Sequence, residues 1–181
     1  MTASFDEAVK LVLVNEGGLT DDPRDKGGTT NYGITKVDLF TAIADGIVPH
    51  GTTIVSLTKP QAIDIYKELY WDKLKLDKIL TQSIANKILD VSVNLGLRWG
   101  VIVLQRAIRS AAGLALVEDG ILGPKTLEAV NLAPAATLLA AYRSEQASYY
   151  RCVVNSNHSQ ECFFKGWLNR AYDLSKVNAN D

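Results

Sequence analysis

Cysteine, histidine and methionine are scarce in this chain: two, two and one among 181 residues. Cys152 and Cys162 are too few for a disulfide framework. Free thiols are expected in the cytosol, with a bridge open to them after release. His50 and His158 stand far apart, which excludes a recognisable zinc-peptidase cluster. No metal site and no organic cofactor is expected. Serine and cysteine are absent from any nucleophile motif, and no glycine loop follows the phosphate-binding pattern. Charge of one sign is lacking too. The formal net charge is −1, which argues against a nucleic-acid binder working by phosphate neutralisation. No apolar run is long enough to cross a membrane. The N-terminus lacks a basic region before its short apolar stretch, so the reading is of a protein made in the cytoplasm without a signal peptide. Repeats, low-complexity tracts and flexible linkers are also missing.

What is present is a folded globular chain, 47% hydrophobic, with enough length for one good core or two small lobes. Phe5 to Asn15 reads as a helix, since Phe5, Val9 and Val12 recur at spacings of four and three. Ala8, Leu11, Leu13 and Val14 make that helix largely buried in the reading. Ser4 is its expected N-cap, with Glu7 as capping-box partner. Gly17 and Gly18 stop it. Glu16 is the next position on the Phe5 face. There it meets the negative end of the helix dipole, and burial beside Val9 and Val12 adds to the effect. Both raise a carboxyl pKa, which suits a general acid near neutral pH. The alternative is an exposed helix-end glutamate. The glycine-rich loop that follows brings Asp21, Asp22 and Asp25. Residues 19–35 are expected to form a small β-hairpin beside the first helix. A paired set of carboxylates suits glycoside hydrolysis.

Further helices are expected from Thr35 to Ala44, after the Thr58–Gln61 capping box, over 81–95, over 99–112, from Ala135 to Val154 and from Cys162 to Ser175. Tyr66, Tyr70 and Trp71 are either core or a sugar-stacking edge. Asp90 and Asn94, four apart, are either a structural hydrogen-bond pair or part of a glycan subsite. Asp119-Gly120 marks a turn, and Pro124 suits a first helical turn.

The run Glu16-Gly17-Gly18, Asp22-Pro23, Asp25, Gly27-Gly28, Thr30-Asn31-Tyr32-Gly33-Ile34-Thr35 resembles the signature of glycoside hydrolase family 108, the phage-type N-acetylmuramidases. Matching pieces continue in order: Ile65-Tyr66, Tyr70-Trp71, Asp90 to Gly96, Leu104 to Ala107, and Gly166 to Arg170. The stretch from Leu104-Gln105 to Thr126 resembles a peptidoglycan-binding module.

The resemblance implies a mostly α (α+β), lysozyme-like fold with that small β-hairpin and a helical C-terminal lobe. The catalytic lobe would span residues 1–96, with residues 97–181 packed on it as the peptidoglycan-binding lobe. Glu16 inherits the role of catalytic acid. By analogy with phage lysozymes, Asp25 is the second carboxylate and Thr30 holds the attacking water. Asn31, Tyr32, Tyr70, Asp90 and Asn94 would bind substrate. Trp167 would anchor the last helix while Arg170 reaches Glu16; otherwise Arg170 makes only a surface contact. The implied activity is cleavage of the β-1,4 bond between N-acetylmuramic acid and N-acetylglucosamine. Competing readings are a lytic transglycosylase, a non-catalytic wall-binding protein, and an accessory muramidase serving toxin export instead of lysis. The partner is the glycan strand of peptidoglycan. A monomer is expected, acting in the periplasm or cell wall after release.

Overall fold

The computed structural model describes residues 2–16, 18–20 and 28–172, with only the backbone for Asn15 and Glu16. The described residues form eight α-helices: α1 Phe5–Glu16, α2 Lys36–Ala44, α3 Lys59–Tyr66, α4 Gln82–Leu95, α5 Leu97–Ala112, α6 Pro124–Leu132, α7 Ala135–Ser156 and α8 Glu161–Tyr172. A π-helical turn, Lys67–Asp72, continues α3 directly. No helix among the described residues is long and apolar enough to cross a membrane. The chain divides into two compact units: residues 4–77, and residues 78 onward together with the first few residues.

In the unit of residues 4–77, α1 buries Ala8, Val9 and Val12, whereas Val14 is 67% exposed. The expectation of a largely buried helix is therefore corrected at Val14, and the helix inserts one apolar stripe. Thr35 and Asp38 form a complete capping box at the start of α2, and Thr58 and Gln61 form one at the start of α3. The expected β-hairpin is also corrected. Among the described residues there are only two isolated antiparallel bridges, Thr20 with Thr30 and Asn31 with Ile34. The reason is local. Residues 31–34 fold into a tight turn closed by the Ile34 N–H on Asn31 O, and the extended Thr35 that follows is already the cap of α2, so little length is left there for a strand.

In the other unit every residue of α4 from Ser83 to Ser92 is buried. That helix packs against α5 and α7. The approach of α5 depends on Gly100: a Cβ there would lie 2.8 Å from the Ser92 Cα. Gly113 closes α5 in the left-handed conformation, at φ 66°. The α7–α8 contact is filled by Ala147, Tyr150 and Ala171, with Leu95, Phe164 and Trp167 packed around them.

Candidate active site

The first group of expected site residues lies in the unit of residues 4–77. Glu16 is the last residue of α1, and its side chain lies outside the described residues. So does Asp25. Thr30 is fixed by its backbone: its N–H donates to Thr20 O at 2.9 Å, and its carbonyl accepts the Thr20 N–H at 2.8 Å. Residues 31–34 make a two-residue reverse turn. The Ile34 N–H donates to Asn31 O at 3.0 Å, and Tyr32 and Gly33 both have positive φ, 51° and 75°. This is the pattern of a type I′ turn.

Asn31 is buried. Its amide donates to Ile54 O at 2.9 Å and to Leu57 O at 3.3 Å. The structure thus gives Asn31 the task of joining the turn to the 54–57 loop. Tyr70 is likewise buried, and its hydroxyl donates to Asp38 Oδ1 at 2.9 Å. Asp38 Oδ2 in turn accepts the Thr35 N–H and hydroxyl, at 3.2 and 2.7 Å. Tyr70 therefore braces the cap of α2. Beside Thr29 a groove of about 440 Å³ opens between α2 and the 53–55 segment, with Lys36, Phe40 and Val55 at its wall. That volume suits a small-ligand subsite.

The second group, Asp90, Asn94, Trp167 and Arg170, lies in the other unit. Arg170 donates to Asp90 Oδ1 from Nη2 at 2.9 Å and from Nε at 3.2 Å. Lys87 lies 3.6 Å from the other carboxylate oxygen. Its ammonium also donates to Ala171 O at 3.3 Å and Arg170 O at 3.4 Å. Lys87 thus caps the carbonyl end of α8 from within the core. Burial pushes its pKa down, while the Asp90 charge opposes the shift. Asn94 Oδ1 accepts the Tyr150 hydroxyl at 2.6 Å, and Tyr150 accepts from Gln146 at 2.8 Å. Asp90 and Asn94 share a helix face, but each is engaged with its own partners on α7 and α8. Trp167 stacks on Tyr150 at 5.3 Å, so it anchors α8 beside Arg170.

Lys87 and Tyr150 were not among the expected site residues. The signal for Lys87 was its i, i+3 spacing from Asp90, easily taken for a solvated pair. Tyr150 gave no signal beyond helical periodicity. The turn after α5 is organised by Gln105. Its amide donates to Asp119 Oδ1 at 2.8 Å and to Ile121 O and Thr126 Oγ1 at 3.3 Å. Its carbonyl accepts the Gly120 N–H at 3.1 Å. The Gln105 amide, with the Ile121 N–H, holds the Asp119 carboxyl below the usual range.

Comparison with known proteins adds three findings. The family described as Glycosyl hydrolase 108 matches residues 9–96. The family described as Predicted Peptidoglycan domain matches residues 99–172. Among solved structures the chain is similar to "Structure of Brucella abortus SagA", at 28% identity and a TM-score of 0.77, covering 98% of this chain and 97% of that one. No curated protein matches the chain.

Proposed function

The chain belongs to the glycosyl hydrolase 108 family through residues 9–96 and carries a peptidoglycan domain in residues 99–172, and on that premise we propose that it hydrolyses the β-1,4 bond between N-acetylmuramic acid and N-acetylglucosamine, with Glu16 as general acid. A glycoside hydrolase acting on peptidoglycan follows from the two domains together.

The observation that carries the choice of acid is the place of Glu16, the last residue of α1 and inside the matched segment. A carboxyl at a helix C-terminus faces the negative end of the dipole, so its proton is held more tightly. A proton retained near neutral pH is what the leaving glycosidic oxygen requires. Asp25 then stabilises the oxocarbenium-like transition state and directs water, which Thr30 helps to hold. The backbone of Thr30 is fixed at both its N–H and its carbonyl by Thr20, which supports a positioned hydroxyl. A lysozyme-like catalytic lobe belongs to this reading. So does action on the peptidoglycan layer of the periplasm or cell wall.

The test is product analysis. Purified sacculi digested with the protein should release muropeptides ending in a hydrated, reducing muramic acid. Anhydro-muramic ends would overturn hydrolysis in favour of transglycosylation. No soluble product would overturn the enzymatic reading itself.

A further inference from the structure

We propose that Tyr66 is a positioning residue for this reaction: its hydroxyl holds the Asn31–Ile34 turn, and with it Thr30, in the conformation that catalysis needs. The inference rests on the peptidoglycan-hydrolase reading above.

The first observation is backbone strain. Tyr32 has φ 51°, a region that L side chains other than Asn and Asp seldom occupy. A type I′ turn needs positive φ at both central residues and favours Asn-Gly. Here the second position is Gly33, but the first is a tyrosine. Such a conformation persists only where its surroundings over-determine it. The second observation is what does so. Tyr66 is completely buried, and its hydroxyl donates to the Tyr32 carbonyl at 2.7 Å. That carbonyl belongs to the central Tyr32–Gly33 peptide of the turn, so the bond fixes how this peptide is oriented.

The third observation is how Tyr66 is held. It ends α3 at the point where the helix widens into the π turn Lys67–Asp72. π turns recur at functional sites because they re-aim side chains within a helix. An ion pair between Lys67 and Asp72, 2.6 Å and five residues apart, spans this turn. Trp71, within it, packs edge-on against Phe5 of α1 at 5.6 Å. One short segment therefore touches both the helix that ends in Glu16 and the turn that follows Thr30. Tyr70, also in the π turn, secures the start of α2 through Asp38. Residues 66–71 thus link the helix that ends in the proposed acid to the turn that follows the proposed water holder.

The test is a double-mutant cycle on turnover of soluble peptidoglycan fragments. Tyr66→Phe removes one hydroxyl and keeps the buried ring. It should lower kcat about tenfold or more with KM within about twofold, as expected when a reacting geometry is loosened and substrate binding stays intact. Tyr32→Gly, whatever its own baseline, adopts positive φ without strain. Adding Tyr66→Phe to Tyr32→Gly should then change kcat by less than about twofold. Amide hydrogen exchange of Ile34 should accelerate in Tyr66→Phe and much less in the double variant. Equal kcat for wild type and Tyr66→Phe, or the same loss in both backgrounds, would overturn the positioning role. Wild-type protein that releases no fragment would instead sink the hydrolase reading, and the exchange experiment would still report on the clamp.

Discussion

Removal of the Asp90 carboxylate should be among the most damaging single changes in the unit built from α4 to α8. Asp90 is the acceptor for two nitrogens of Arg170 and the near neighbour of the Lys87 ammonium. The side chains of Arg170 and Lys87 are only 16% and 2% exposed. Asp90→Ala leaves two cations buried without this carboxylate. Breaking a buried pair from one side typically costs about 3–5 kcal/mol. At roughly 2–4 °C per kcal/mol for a chain of this size, the thermal midpoint should fall by at least about 6 °C. The loss should depend on pH. Burial already holds the Lys87 pKa below its ordinary 10.5, and Asp90 works against that shift. Without Asp90 the pKa falls further. Between the folded pKa and 10.5 the unfolded state binds more protons, so stability rises with pH across that window. In Asp90→Ala the window opens at lower pH, so the variant should recover part of its loss on titration toward alkaline pH. The assay is thermal unfolding followed by circular dichroism from about neutral pH up to 10.5, the unfolded end of that window, with Arg170→Met and the double variant completing a cycle. Coupling of about 1–3 kcal/mol between Asp90 and Arg170 is expected. A loss below about 1 kcal/mol, or strict additivity, would refute the assignment of this cluster as a buried, mutually dependent unit.

Gly100→Ala should destabilise by about 1–3 kcal/mol, because a Cβ meets the Ser92 backbone and the helices must part; an unchanged denaturation midpoint would contradict the close α4–α5 approach. Tyr142 and Tyr150 have pKa values raised above 10.0, first by burial, so the stability they contribute is present below about pH 10 and lost as pH rises through the folded values. Tyr142→Phe should lower stability at neutral pH by about 1 kcal/mol, through loss of the bond to Gly100 O, yet flatten the alkaline limb; an unaltered limb would mean another group drives alkaline unfolding. Asp25→Asn should impair wall lysis far more than Asp21→Asn or Asp22→Asn in a turbidity assay. Similar losses in all three would move the second carboxylate elsewhere.

Much of the helical pattern was legible because its signals are local. Thr58 and Gln61 are three apart at the head of an apolar period, and they form the cap they suggest. Pro124 opens α6, and Gly113 closes α5. The π turn was not legible. Its residues keep apolar spacing compatible with an ordinary helix, and the change from i+4 to i+5 bonding leaves no mark in composition. The hairpin expectation failed because threonine content reports strand preference but not available length. The capping demand of α2 on Thr35 cut the extended segment short. At the candidate site, the contacts that employ each residue were not legible. Asn31 and Tyr70 sit within motif segments, yet the structure engages both in holding neighbouring chain. Long-range partners such as Tyr66 with Tyr32, separated by 34 positions, have no signature in a single sequence.

Whether Glu16 supplies the proton is tested most directly by release of reducing-end muropeptides from purified sacculi, with pure, folded Glu16→Gln protein beside the wild type. Glutamine keeps the size and removes the titrating proton, so the rate should fall by about a hundredfold or more, with the thermal midpoint level or raised. Near-normal release by a folded Glu16→Gln protein would contradict that role.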